Sequence, residues 1–360
     1  MKEERGWEGL NDFSRNMYES TYFLKGEYYT GWLDRVTTTY ANDEAHAKRL
    51  QRYIHNYWYH PATPISSNAG TDRGLPISCF VREVDDSKYG IFYAYNEAFW
   101  LGARGTGIGT TWDSVREVGA PVGEIGYSSG IIPFIGISDR ATLAISQGGL
   151  RRASEAVWVS VEHPEILEFI EMRKPDRDAN RSNQNIDHGV IIPDAFMHAM
   201  LARKPWDLIS RKTGKVVQTV DAFDVFTKIL DIRARIKGEL YLMFSDNVNR
   251  LLPPEYNKLG LTVKLSNLCT EITLNTDKEK ANICCLASAN LKYYDEFEPE
   301  LDQFMADISD YLDNVITSFI DMTEGLPGFE RARAGAIDER PEGIGVMGFH
   351  DYLQDKLIPF

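Results

Sequence analysis

Short apolar runs of strand length alternate with longer segments of helical period, and this alternation limits the fold more than any single motif does. Ile77 to Val84, Ala156 to Val161, Gly189 to Pro193 and Glu239 to Phe244 are rich in β-branched and aromatic residues and read as strands. Between them, Ser87 to about Ala103, Ile131 to Ile145 and Asp221 to Lys237 read as helices. His163-Pro164-Glu165 opens a further helix to Arg173, with proline in the first turn, where its missing N–H costs nothing. Strands joined by helical crossovers run parallel, so the fold class is α/β. Parts of Thr262 to Leu274 and of Ile283 to Ser288 read as additional strands. Gly105-Thr106-Gly107-Ile108-Gly109 follows a helix and reads as a turn. A dinucleotide-binding glycine loop follows a strand instead, so close backbone packing is the better account of these glycines.

Residues 1–62 read as a short N-terminal helical region. Asn42-Asp43 caps a helix through Trp58 that places Leu50, Tyr53, Ile54, Tyr57 and Trp58 on an apolar face. Pro61-Ala62-Thr63-Pro64 stops it. Leu301 to Met322 is a long amphipathic helix. The net charge of −14 argues against a nucleic-acid surface, which needs a basic field. A few arginines and backbone amides still suffice for a small anionic ligand. No stretch has the roughly 20 apolar residues of a membrane span. Met1-Lys2-Glu3-Glu4-Arg5 lacks the apolar segment that follows the basic start of a signal peptide. Four cysteines in 360 residues do not make a disulfide scaffold, and a reducing cytoplasm is the expected location. No Cys-x-x-Cys or His-x-x-x-His pair marks a metal site.

Ser266-Asn267-Leu268-Cys269-Thr270-Glu271-Ile272 sets an amide, a thiol and a carboxylate at alternate positions. In a strand, or in a tight loop after one, alternate side chains point the same way. Asn267, Cys269 and Glu271 can then converge on one small polar target. An amide orients a hydroxyl, a thiol acts as nucleophile or radical, and a carboxylate takes a proton. The same triplet also arises by chance, and an isolated cysteine is commonly a small core residue. Cys284 and Cys285 are neighbours, point to opposite faces of a strand, and would form a strained bond with each other. One of them can meet Cys79 on an adjacent strand, or all four cysteines can be core residues.

With three further segments the chain resembles the large, catalytic subunit of class I ribonucleotide reductase. The matching pieces, in the family's order, are Ala62-Thr63-Pro64-Ile65, Ile77-Ser78-Cys79, Gly105 to Gly109, Ser129-Gly130-Ile131-Ile132-Pro133-Phe134, Ser146-Gln147-Gly148-Gly149, Asn267 to Ile272, Cys284 to Leu291, and Gly343 to Phe349. The resemblance implies that Cys269 carries a transient thiyl radical, Glu271 takes the 3′-hydroxyl proton and Asn267 binds the ribose. It makes Cys79 and Cys284 the redox pair and leaves Cys285 structural. Thr63 and Ser78 fall where the family binds substrate. Asp86 falls where it holds the ribose of a dNTP or ATP effector, and Gln147 and Arg151 where a loop reads the base. No metal site and no covalently bound cofactor is implied in this chain. The radical comes from a metal-containing small (beta) subunit, the reductant is thioredoxin or glutaredoxin, and the assembly is a homodimer.

The implied fold is the first half of a ten-stranded α/β barrel built from two antiparallel five-stranded halves. Residues 63–360 supply an incomplete barrel with effector-site loops and a finger loop bearing Cys269. Residues 1–62 leave no room for the ATP-binding activity module of many relatives. The chain stops at Phe360, well short of family members, and an N-terminal fragment is therefore expected, inactive without its C-terminal part. Such a fragment could instead be a non-catalytic nucleotide-binding module that awaits a complementing chain. An adenosylcobalamin-dependent class II enzyme is the other alternative; Asn267-Leu268-Cys269 speaks against it, because class II relatives usually place proline before the cysteine. Neither a nucleic acid nor a membrane is an expected partner.

Overall fold

Cys79–Glu83 and the strands that follow it are largely buried on both faces, so apolar residues occupy adjacent positions in runs such as Phe80-Val81 and Val157-Trp158-Val159. The computed structural model describes residues 5–145, 152–175, 178, 181–235 and 239–360. Gln147 and Arg151 lie outside the described residues. The chain divides into two units: Met1–Ser78 with Ile283–Glu324 and Ala336–Phe360, and Cys79–Asn282 with Gly325–Gly335. The helices before residue 62 thus share a unit with two later segments of the chain.

The second unit is built on five parallel strands: β1 (Cys79–Glu83), β2 (Gly107–Thr111), β3 (Ser154–Ser160), β4 (Asp187–Ile192) and β5 (Tyr241–Phe244). Each lies beside its predecessor in sequence. Helix α1 (Lys88–Gly102) joins β1 to β2, α2 (Ile131–Ile145) leads to β3, and α3 (Ile166–Glu171) leads to β4. Helices α4 (Asp194–Leu201) and α5 (Ala222–Arg235) flank a β-hairpin before β5. This is the α/β arrangement that the alternation requires. Ser87 caps α1 by accepting a hydrogen bond from the Gly90 N–H.

Parallel registry puts Cys79, Val81 and Glu83 on the same face as Gly107, Gly109, Trp158, Ile191, Tyr241 and Met243. On that face Val263 and Leu265 pack against Val81, Trp158, Ile191 and Met243. The opposite face carries the larger core, with Val157, Val159, Val190 and Ile192 packed on Ile131, Ile135, Phe169, Val225 and Ile229 of the helices. The sheet therefore has a helix-covered side and a side covered by the segment that contains Asn267 to Glu271.

Three expectations are corrected. Gly107–Thr111 is a buried strand, not part of a turn, because glycine is needed there for contact and not for bending. No strand lies between Thr262 and Leu274; these residues run as a loop across the sheet, held by side-chain bonds instead of a ladder. The helix expected from His163 begins only at Ile166, since His163, Pro164 and Glu165 form the turn before it.

In the first unit, Tyr59–Pro61 pairs antiparallel with Cys285–Asn290, which pairs parallel with Glu342–Met347. The helix Leu301–Met322 presents Phe304, Ile308, Tyr311, Leu312, Val315 and Phe319 to its core. Asp307 on that helix is buried and takes two charge-assisted bonds from Arg49 and one from the Tyr53 hydroxyl. No helix among the described residues is long and apolar enough to cross a membrane.

Candidate active site

Asn267 is fully buried and is the hub of the site. Its Oδ1 accepts from the backbone N–H groups of Glu271 and Ile272, both at 3.1 Å. Its Nδ2 donates to Glu271 Oε1 at 2.8 Å and to Cys79 Sγ at 3.3 Å. One amide thus folds the segment back on itself and fastens it to strand β1. This orientation of the amide is the one that satisfies all four groups.

The backbone between Asn267 and Glu271 is a turn. Thr270 has φ of +72°, a left-handed conformation that costs a β-branched residue strain. The Thr270 N–H donates to Asn267 O, and the Asn267 N–H donates to Ile272 O. Alternation along a strand is therefore not what brings Asn267 and Glu271 together; a reversed chain does. Cys269 lies in the turn and is exposed, Cys79 is half-buried, and Glu271 is exposed except for its bond to the amide.

Two glycines make room for this turn. A Cβ on Gly109 would stand 2.3 Å from Ser266 O and 2.8 Å from Asn267 Cα, and one on Gly107 would stand 2.9 Å from Leu268 Cδ2. The close-packing reading of the glycine run is correct, and its target is the Asn-x-Cys-x-Glu segment.

Tyr241 on β5 borders the turn. Burial, then the charge of Asp187, then Cys269 push its phenol above the usual range. Sequence reasoning missed Tyr241, because only strand registry sets it near Cys269. It also missed Glu83, whose carboxylate holds Lys264 Nζ at 2.6 Å on the way into the turn. A lone glutamate at a strand end carries no signal in sequence.

The remaining expected residues are placed as follows. Asp86 follows β1, and Arg116 Nε contacts both its carboxylate oxygens, at 3.0 and 2.9 Å. Cys284 belongs to the first unit and is buried. Cys285, also buried, starts a strand and directs Sγ to Leu312 O, and burial pushes its thiol far up, as befits a structural residue. Thr63 begins the short helix Thr63–Asn68 and is exposed, and Ser78 is buried; both are in the first unit.

Residues 77–360 match the family model described as ribonucleotide reductase, barrel domain. The chain belongs to the ribonucleotide reductase large-subunit family. A Frog virus 3 protein assigned as a ribonucleoside-diphosphate reductase large subunit is 40% identical over 87% of this chain and 54% of its own length. The ribonucleoside-diphosphate reductase large subunit of Invertebrate iridescent virus 3 is 34% identical over 88% of this chain and 57% of its own length. Among solved structures, the class Id ribonucleotide reductase alpha subunit of Actinobacillus ureae superposes with a TM-score of 0.83 at 29% identity. That match covers 98% of this chain and 63% of that one. The chain thus spans little more than half the length of these viral relatives. Membership in the ribonucleotide reductase family agrees with the motif order along the sequence and with the parallel α/β sheet.

Proposed function

We propose that this chain carries the sugar-reducing residues of a class I ribonucleoside-diphosphate reductase, making 2′-deoxyribonucleotides for DNA synthesis. The observation that supports this most is the Asn267 amide, which joins Cys79 Sγ and Glu271 Oε1 beside an exposed Cys269. In this reading Cys269, as a thiyl radical, takes the 3′ hydrogen atom of the ribonucleotide and returns it at the end. Glu271 accepts the 3′-hydroxyl proton. Cys79 and Cys284 give up two electrons and their two protons and become a disulfide. The 2′ hydroxyl takes up a proton and leaves as water, and C2′ gains hydrogen in its place. A carboxylate suits the base role, since it is ionised at neutral pH unless its surroundings forbid it.

The radical would come from a separate metal-containing small subunit, and thioredoxin or glutaredoxin would restore the thiols. Asp86, already oriented by Arg116, would accept a hydroxyl of a dNTP or ATP effector, with Gln147 and Arg151 reading its base. Thr63 and Ser78 would contact substrate. In this reading the five parallel strands would form the first half of the ten-stranded barrel, and the chain would work in the cytoplasm, where thiols stay reduced. Exposed Tyr89, Phe92 and Phe99 on α1 and Ile137 and Leu143 on α2 support a homodimer through those two helices.

The test is CDP reduction with a class I small subunit and dithiothreitol, supplying any separate chain that completes the barrel. dCDP should form with the parent and not with Cys269→Ser. No dCDP from the completed parent assembly would overturn the reading.

A further inference from the structure

Residues 261–281 form no helix or strand of their own, yet this loop carries Asn267, Cys269 and Glu271. Reaction geometry tolerates errors of only a fraction of an ångström, so something must fix the loop. Its entry is held by side chains. Asn249 bonds both backbone groups of Val263, Oδ1 accepting from its N–H at 2.9 Å and Nδ2 donating to its carbonyl at 3.0 Å. One residue on, Lys264 Nζ donates to Glu83 Oε2, while the other Glu83 oxygen accepts from the Ser114 hydroxyl.

The exit is held by Arg331. Its guanidinium donates to Asp277 O at 2.6 Å, to Glu83 O at 3.0 Å and to Glu97 Oε2 at 3.1 Å, and its carbonyl accepts from the Ala281 N–H. Glu83 therefore holds the entry directly by its carboxylate, and reaches the exit through Arg331, from which its carbonyl accepts. It lies on the strand whose first residue, Cys79, receives the Asn267 amide.

Behind this neck the charges are deeply buried. Arg82, Glu97 and Glu155 are almost fully enclosed, and Arg331 nearly so. Two arginines and two glutamates balance, but enclosed ion pairs add little net stability compared with apolar packing. Their directional bonds are what fix position.

We propose that Glu83 and Arg331 are positioning residues that clamp the two ends of the 261–281 loop and so hold the Asn267–Glu271 turn against Cys79. The clamp is independent of chemistry; its effect on turnover rests on the reductase reading above.

Hydrogen exchange on the full chain tests it. In Arg331→Met and in Lys264→Met, the Glu271 and Ile272 amides should exchange about tenfold faster or more, with strand Ser154–Ser160 unchanged. Lys264→Arg should restore parental exchange. Lys264 is 46% exposed, so its variants fold even if Arg331→Met does not. In the CDP assay kcat should fall by about tenfold or more at unchanged KM. Parental exchange at Glu271 and Ile272 in Lys264→Met, or equal loosening of Ser154–Ser160, overturns the clamp. Absence of turnover in the parent would count against the reductase reading alone, because exchange needs no substrate.

Discussion

At the scale of single residues, the site depends on one amide and on the side chains that Gly107 and Gly109 lack. Asn267→Asp keeps the acceptor for the Glu271 and Ile272 amides but replaces the donor to Cys79 Sγ with a carboxylate. That disfavours the Cys79 thiolate, so iodoacetamide should modify Cys79 about tenfold more slowly at pH 8, read by peptide mass spectrometry. An unchanged rate would mean that the amide does not sense the thiol. Gly109→Ala drives a methyl into Ser266 O and the Asn267 backbone, neither of which can yield without moving the turn. It should cost about 1–3 kcal/mol in denaturant unfolding and, under the proposed reductase function, most of the CDP reduction. Gly119 has φ of +81° and open space around its missing Cβ. Gly119→Ala should cost about 1 kcal/mol from backbone strain and leave activity near parental. The identities of Asn267, Cys269 and Glu271 were legible in sequence. Their geometry was not, because a reversed turn with Thr270 in the left-handed region leaves no trace in residue spacing.

At the scale of elements, Glu165 ties the turn before α3 to the start of α2. Its carboxylate accepts from the Ile131 N–H at 2.8 Å and the Val118 N–H at 3.2 Å, and Gly130 must lack a Cβ to let it approach. Burial raises its pKa to about 7, against the opposing pull of those N–H groups and of Arg181. A carboxyl with a raised folded-state pKa favours folding at low pH and loses that contribution as pH rises. Glu165 therefore lowers stability progressively from about its ordinary 4.5 to about 7. The difference in unfolding free energy between the parent and Glu165→Gln should shift in favour of the variant by up to about 3 kcal/mol across that window. Chemical denaturation at pH 5 and pH 7.5 measures it, and a constant difference would refute the assignment. Helices α1, α2 and α5 and the long Leu301–Met322 helix were readable from period and capping, because each is set by local propensity and one apolar face. The glycine strand β2 was not, since glycine announces a turn unless the contact it makes room for is known.

At the scale of the whole molecule, the exposed apolar stripe on α1 and α2 is the feature that most needs covering. Tyr89 and Phe92 are 74% and 69% exposed. If it is the homodimer contact, Phe92→Asp should convert dimer to monomer in sedimentation at micromolar concentration while leaving the helical content unchanged. A dimer that survives the charge would place the interface elsewhere.

The sequence by itself determined the α/β class, the candidate Asn-x-Cys-x-Glu side chains and the family to which the chain belongs. Period, capping and motif order are local properties, written wherever they act. Only the tertiary structure decided that Asn267 joins Cys79 to Glu271, that Gly109 faces Ser266, and that Glu83 and Arg331 meet both ends of the same loop. Those contacts join residues far apart in the chain. They depend on strand registry and on how closely two backbones approach, which no single segment encodes.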